Sequence, residues 1–290
     1  MTLYAAHLAT MLSVYVILAA SLNLMAGYGG MLSASHVALF GIGSYTLAYL
    51  ATALGWPFIP ALLLSIALAS SVAFLIGSLC IRLAGDFFLL ATLSVHLVFH
   101  ALFSNWIAFT GGPYGIAGIP PPALFGWSAA GGVGKAAIAA TVAVVSLLVF
   151  MVLLRSPFAR CLQAVRDDAP AAAAMAKNSL RIRRQAFTIA SAFAGLTNAL
   201  YASTVAYVDP HAFALDELVF LIAIVVVGGA GAARGPIVGA VVLFLTPEAL
   251  RLLPITAAAA ANVRQILFGV LLVLAMRFRP QGLAGRYAFD

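Results

Sequence analysis

The sequence predicts an all-α fold, a polytopic transmembrane helical bundle of about eight to ten spans with re-entrant or broken segments. Three observations predict it. Of 290 residues, 64% are hydrophobic and only 8% are charged, whereas soluble domains carry about 25% charged residues. The first charged side chain is Arg82, and the 81 residues before it can cross a bilayer about three or four times at roughly 20 residues per span. The 15 Lys and Arg against 8 Asp and Glu give a net charge of +7. In a chain this apolar, that excess reports topology and not nucleic-acid binding.

Apolar runs place spans at roughly 3–26, 31–53, 58–80, 87–106, 136–154, 186–207, 218–233, 236–253 and 262–276. The run from residue 3 has no basic stretch before it, so it reads as a retained span and not a cleaved signal. The pair 218–233 and 236–253 is short and interrupted by Gly and Pro, which fits two thin spans or a hairpin turning back within the membrane. The chain reads as one membrane-embedded unit over 1–290, because no connecting segment is long enough for a soluble catalytic domain.

Basic residues concentrate on the cytoplasmic side of membrane proteins. Seven of them, Arg155, Arg160, Arg166, Lys177, Arg181, Arg183 and Arg184, lie in the single segment 155–184, which is therefore expected inside. Alternating nine spans from there puts Arg82, Arg234 and the C-terminal Arg277, Arg279 and Arg286 inside as well, and leaves Lys135, Arg251 and Arg264 outside. The same alternation places the N-terminus and Trp56, Trp106 and Trp127 on the outer side, where interfacial aromatics belong. Within 155–184 the Asp167-Asp168-Ala169-Pro170 start signal and the alanine content predict two short helices.

Few patterns suggest chemistry. AGGVGKAA has the look of a phosphate loop, but Ala129 stands where the first Gly is needed and Ala136 where a Ser or Thr must ligate magnesium. His96 and His100 are one helical turn apart, yet Leu97, Val98 and Phe99 supply no third ligand or base, so packed or interfacial histidines are the better reading and no metal is assigned. Cys80 and Cys161 form no ligand cluster. Asp86 fits a helix N-terminal carboxylate near Arg82.

The stretch GYGGMLSASHVALFGIGSYTLA is richer, with Ser33, Ser35 and His36 directly after a glycine cluster, then Gly41, Gly43 and Ser44. Hydroxyls and an imidazole can satisfy backbone groups freed at a helix break, and small residues let helices approach closely. Gly231, Gly235 and Gly239 form a second small-residue ladder, read as packing.

Together these strings resemble the permease subunits of ATP-binding-cassette importers for branched-chain amino acids, specifically the M-type subunit. The resemblance covers nearly the whole chain. It is carried by SLNLMAGYGGMLSASHVALFGIGSY, RLAGDFFLLATLS, TGGPYGIAGIPPP, RSPFARCLQAVRDDAPAAAAMAKN, GGAGAARGPIVGA and FRPQGL at Phe278 to Leu283. It implies a multi-pass inner-membrane subunit with a cytoplasmic C-terminus and no cofactor. Its implied partners are a second homologous permease, two cytoplasmic ATPase subunits, an external substrate-binding protein and the surrounding lipid, with no nucleic acid. The implied cargo is a branched-chain or other hydrophobic amino acid or a related small amide, handed over near Thr110 to Pro122.

Carried over by position, Phe158 to Ala176 matches the segment that docks on the ATPase, with Arg160, Arg166 and Asp167 at its polar positions. Relatives typically carry Gly at the positions of Ala159 and Ala176, Gln and Gly at those of Met31 and Ser35, and often Glu at that of Leu97. A pathway for a zwitterion needs polar groups without fixed charge, and Asn23, Ser33, Ser35, His36 and Thr92 are the candidates. Two other classes stay open at this point. An ion-coupled secondary transporter needs a titratable pair deep in the bilayer, for which only Asp86 and Glu248 come near. An intramembrane enzyme needs an acid/base pair, and no suitable spacing is visible.

Overall fold

The structure is a computed structural model of the chain; it describes residues 2–83, 85–124, 127–128, 131–250, 269–270, 273, 277 and 282–285. Helix α1 (Thr2–Asn23) runs straight into one π turn, Leu24–Tyr28. Residues 29–35 are not helical, and α2 (His36–Thr52) follows. Next come α3 (Phe58–Cys80), α4 (Asp86–Asn105), the single-turn α5 (Ile107–Thr110) and α6 (Gly132–Arg155). Two short helices, α7 (Pro157–Asp167) and α8 (Ala169–Ala174), lead to α9 (Ser179–Val205), and α10 (Leu215–Gly228) and α11 (Gly235–Leu250) close the described bundle. Among the described residues strand structure is limited to two-residue ladders in the loops, Ile116–Ala117 with Tyr207–Val208 and Ala123–Leu124 with Trp127–Ser128.

Among the described residues four apolar stretches are long enough by length and composition to cross a membrane: Leu3–Tyr28, Phe58–Cys80, Asp86–Asn105 and Gly132–Arg155. The 20 residues of α4 span about 30 Å at 1.5 Å per residue, the thickness of the hydrocarbon core. By the same arithmetic α10 with 14 residues and α11 with 16 reach only about 21 and 24 Å. They pack against each other, with a Gly-containing turn at 229–234 between them.

Some expected boundaries shift for identifiable reasons. The second span was expected from residue 31, but α2 begins only at His36, because the Gly29-Gly30 pair ends the preceding helical run and Gly30 takes a left-handed φ of 63°. The span expected from 186 begins at Ser179. Asn178 caps it through Oδ1, which accepts from Arg181 N at 3.0 Å, so the helix extends out of the apolar region through its arginines. The span expected at 262–276 lies almost wholly outside the described residues.

Burial divides the helices into inner and outer sets. Helix α2 is apolar on every side and 14 of its 17 residues are buried, packed among α3, α4 and α9. Helix α1 is also largely interior, whereas α3, α4 and α6 expose large apolar side chains such as Leu79, Phe87, Val98 and Val152, the surface that lipid requires. At one end of the bundle Arg166 meets the end of α1, Arg82 lies beside Arg181 and Arg184, and Arg155 and Arg234 share a cavity wall with Tyr28. Lys135 sits at the opposite end, its Nζ donating to Thr204 O at 3.2 Å. Among the described residues these basic side chains separate to the two ends as expected from the sequence, while Arg251, Arg264, Arg279 and Arg286 lie outside the described residues.

Glycines set the closest approaches. A Cβ on Gly239 would overlap the Ile224 carbonyl and lie 2.9 Å from Gly228 Cα, so α10 and α11 touch backbone to backbone. The α10 C-terminus is closed by the tail: Leu283 N donates to Val227 O and Ala284 N to Gly228 O, both at 2.9 Å, which occupies carbonyls a helix end otherwise leaves orphaned.

At the end of α8, Lys177 N donates to Ala172 O and Ala176 N to Ala173 O, the paired bonds of a Schellman motif, and Ala176 takes φ 58°. A left-handed residue with a Cβ costs about 1–2 kcal/mol. Ala176→Gly is therefore expected to stabilise the chain by about 1 kcal/mol, and Gly239→Val to destabilise it by at least about 1–3 kcal/mol through overpacking; thermal unfolding of the detergent-solubilised protein reads both.

Candidate functional site

The five polar residues singled out in the sequence converge on the junction where α1 breaks. Ser33, Ser35, His36 and Thr92 have no exposed surface and Asn23 is 2% exposed. Helix α4 delivers Thr92, whose Oγ1 accepts from Ala34 N at 3.1 Å and itself donates toward Phe88 O or Leu89 O, 2.9 and 3.0 Å away. One hydroxyl thus satisfies a backbone amide that no helix serves. Ser33 Oγ lies 3.0 Å from Ser35 Oγ and accepts from Ser35 N at 3.3 Å, closing the turn locally.

His36 begins α2 and points at α1. Its Nε2 is 2.8 Å from Ser21 Oγ, and that hydroxyl is also 2.8 Å from Leu18 O. A hydroxyl has one proton, and when it goes to the carbonyl, Nε2 must be the protonated nitrogen that donates to Ser21. Nδ1 is then an acceptor, buried with no partner among the described residues.

Asn23 clamps the second broken element. Its Oδ1 accepts from Gly231 N at 2.9 Å and its Nδ2 donates to Ala232 O at 3.0 Å, so one amide side chain replaces the backbone pairing lost between α10 and α11. The two breaks meet there: a Cβ on Gly27 would overlap both Asn23 Oδ1 and Gly231 N. Asn23 also borders a cavity of about 370 Å³ between α1, α6 and the α10–α11 turn, with Tyr28, Arg155 and Arg234 on its wall.

Below the junction lies α7. Ser156 and Pro157 start it, and Ala159, Leu162 and Val165 bury one face. Arg166 does not point outward: Nη1 donates to Gly27 O at 2.7 Å and its stem covers Gly30. The guanidinium thereby occupies a carbonyl at the C-terminal end of α1 and complements the helix dipole. Asp167 holds the same guanidinium from outside, Oδ1 to Nη2 at 2.8 Å. Arg160 and Asp167 are exposed and share a face with Ala164, while Phe158 is half-buried against the core. The two short helices expected in this segment are present, and Asp168 caps α8 by accepting from Ala171 N at 2.9 Å.

At the opposite end, TGGPYG forms a tight structure. Thr110 Oγ1 lies 2.7 Å from both Phe103 O and Trp106 O and accepts from Gly112 N, and Gly111, Gly112 and Gly115 all have positive φ. Any side chain at Gly115 would strike the Val208 carbonyl, so the loop is locked to the 207–208 ladder. His96 is buried with both ring nitrogens unpartnered among the described residues, its ring 6.4 Å from that of His100.

Sequence reasoning did not find Ser21, Gly27, Gly231 or Asn198 as members of this network. Ser44 Oγ donates to Asn198 Oδ1 at 3.4 Å, and Gly43 leaves the space that the Asn198 amide occupies. The local glycine clustering was the only signal available for Gly27 and Gly231.

Tightly packed apolar helices, two broken helix pairs stitched by side chains, and an amphipathic helix pinned to one break define a multi-pass membrane permease. The family model described as branched-chain amino acid transport system / permease component matches residues 4–276, and the chain belongs to that family. It is 33% identical to the high-affinity branched-chain amino acid transport system permease protein LivM of Salmonella typhimurium, over 95% of this chain and 69% of that one. LivM of Escherichia coli is 32% identical over the same shares. A probable branched-chain amino acid transport permease protein LivM of Methanocaldococcus jannaschii is 26% identical over 77% of this chain and 68% of its own. No solved structure matches the chain.

Removing one partner of a buried hydrogen bond costs about 1–3 kcal/mol. Thr92→Val, which keeps the shape but strands Ala34 N, and Asn23→Leu, which strands Gly231 N and Ala232 O, are each expected to destabilise by that amount. Thermal unfolding in detergent measures the loss, and an unchanged midpoint for either variant refutes the bonding role given to that side chain.

Proposed function

We propose that this chain is one of two transmembrane subunits of an ATP-binding-cassette importer, carrying branched-chain or other hydrophobic amino acids, or related small amides, into the cell across the inner membrane. The observation that carries the reading is the family match over residues 4–276, which takes in both broken junctions and the amphipathic α7. In this reading the partners are a second homologous permease, two cytoplasmic ATPase subunits and an external binding protein. The basic end of the bundle faces the cytoplasm, and the C-terminus lies there too. The TGGPYG end receives cargo.

The interior supports a pump driven from outside itself. Among the described side chains, which do not include that of Glu248, no Asp, Glu, Lys or Arg is buried, so the bundle places none of these groups at depth for proton or sodium coupling, and its buried imidazoles are His36 and His96. What it offers is uncharged polarity at a backbone break, suited to a zwitterion whose own charges cancel. We assign Asn23, Ser33, Ser35, His36 and Thr92 to the hinge that borders the pathway.

Coupling follows from α7. Its exposed Arg160–Ala164–Asp167 face is the docking surface, and Phe158 anchors the helix to the bundle. Force on that face passes from Asp167 to Arg166, from Arg166 to the Gly27 carbonyl, and from there through Asn23 to the α10–α11 turn. ATP-driven movement of the partner would thus tilt both broken elements together, giving alternating access.

Arg160 and Arg166 separate docking from transmission. Arg160→Glu, on an exposed face, is expected to leave the unfolding midpoint unchanged while reducing ATPase-subunit co-purification and uptake on the order of tenfold or more, the effect of reversing a charge at a polar contact. Arg166→Ala is expected to retain the ATPase subunits, lose about 1–3 kcal/mol of stability and uncouple ATP hydrolysis from uptake. Normal co-purification and uptake by Arg160→Glu would sink the docking assignment.

A further inference from the structure

We infer that the cleft between the end of α3 and the start of α9 is a binding site for the headgroup of an anionic phospholipid. The inference concerns a different face of the bundle from α7 and does not rest on the transport reading.

The cleft has a volume of about 200 Å³ and is walled by Ser78 and Arg82 from α3 and its following turn, and by Asn178, Leu180, Arg181 and Arg184 from α9. Three guanidinium groups therefore surround one small space with no carboxylate in its wall. Among the described residues none of these three arginines has an acidic partner. Like charges brought together without a counter-ion repel, and an anion bound among them relieves that repulsion.

The geometry favours a phosphate-bearing group. Arg184 places its Cζ 4.5 Å above the Phe74 ring, and its buried Nε has no partner among the described residues. Asn178, on the cleft wall, spends Oδ1 on capping α9 and keeps its Nδ2 hydrogens as donors. Guanidinium forks and amide N–H groups match the oxygens of a phosphodiester.

The surroundings favour a lipid over a free phosphate. Directly before the cleft, α3 presents Phe74, Leu75 and Leu79 to the exterior, with Leu79 77% exposed, and Leu180 brings an exposed apolar side chain into the wall itself. A ligand with a phosphate and acyl chains covers both surfaces; inorganic phosphate covers one. Basic pockets between helices at the cytoplasmic boundary are where such headgroups bind.

The test uses the full chain purified in detergent and native mass spectrometry with added dioleoylphosphatidylglycerol, dioleoylphosphatidylcholine or inorganic phosphate. Retention of phosphatidylglycerol well above phosphatidylcholine is expected, together with about a tenfold or greater loss in the Arg82→Gln/Arg181→Gln double variant, whose two side chains are both exposed. Arg160→Gln/Lys177→Gln removes the same charge elsewhere and is expected to retain the lipid. Arg82→Lys/Arg181→Lys guards against misfolding: it keeps the charge, loses the forks, and is expected to bind more weakly than the native chain with the same unfolding midpoint. Equal retention of both lipids, complete displacement by millimolar phosphate, or equal loss in the two Gln variants overturns the site. So does a cleft variant that keeps its lipid and instead loses the ATPase subunits, which would make the cleft a protein contact.

Discussion

A backbone amide or carbonyl at membrane depth has no water to turn to, and everywhere two helices of this bundle break, a side chain or a neighbouring chain segment takes the place of the missing helical bond. Thr92 serves Ala34, Asn23 serves Gly231 and Ala232, Arg166 serves Gly27, and the tail at 283–284 serves the end of α10. The rest of the architecture depends on these substitutions. Without them the chain around residues 29–35 and 229–234 would have to be helical, and the bundle would be a set of uninterrupted rods with nothing to bend.

The same bonds bring distant parts of the chain into register. Gly27 lies so close to Gly231 that a methyl group at position 27 would strike the Gly231 backbone, so the end of the first helical run and the α10–α11 turn meet as backbone. Asn23 fits only because Gly27 is small, and Arg166 reaches its carbonyl only because Gly30 leaves room for its stem. Packing and polar satisfaction are thus one arrangement. Helix α7 is bonded through Arg166 to the first break and through Gly27 and Asn23 lies next to the second, whereas α3, α4 and α6 expose Leu, Val and Phe side chains on the outside of the bundle.

Membership in the branched-chain amino acid permease family gives these features a context. Ala176 occupies a left-handed position of the kind glycine favours, at the end of α8, and the Schellman bonds there form nevertheless. The strain is carried by the local turn and leaves the α7–α8 unit intact. Ala159 is fully buried against the bundle, where a methyl group adds contact without altering the exposed face.

Composition and apolar run length were enough to establish an all-helical membrane protein, because burying a charge in lipid is so unfavourable that charge itself marks the boundaries. For that reason 58–80 and 87–106 correspond to α3 and α4 within one residue, and the basic residues of 155–184 share one end of the fold with Arg82 and Arg234. Turn and cap chemistry in Asp168-Ala169-Pro170 likewise revealed α8. Sequence could not tell which helix is central. In lipid the inside and the outside of a bundle are equally apolar, so α2, buried on all sides, reads like α3, which faces lipid. Nor could it pair Ser21 with His36, Asn23 with Gly231 or Arg166 with Gly27, since hydropathy is a property of neighbours along the chain and these contacts join residues far apart in it. The residue types at the break were visible in advance, and only the tertiary structure decided which backbone atoms they serve.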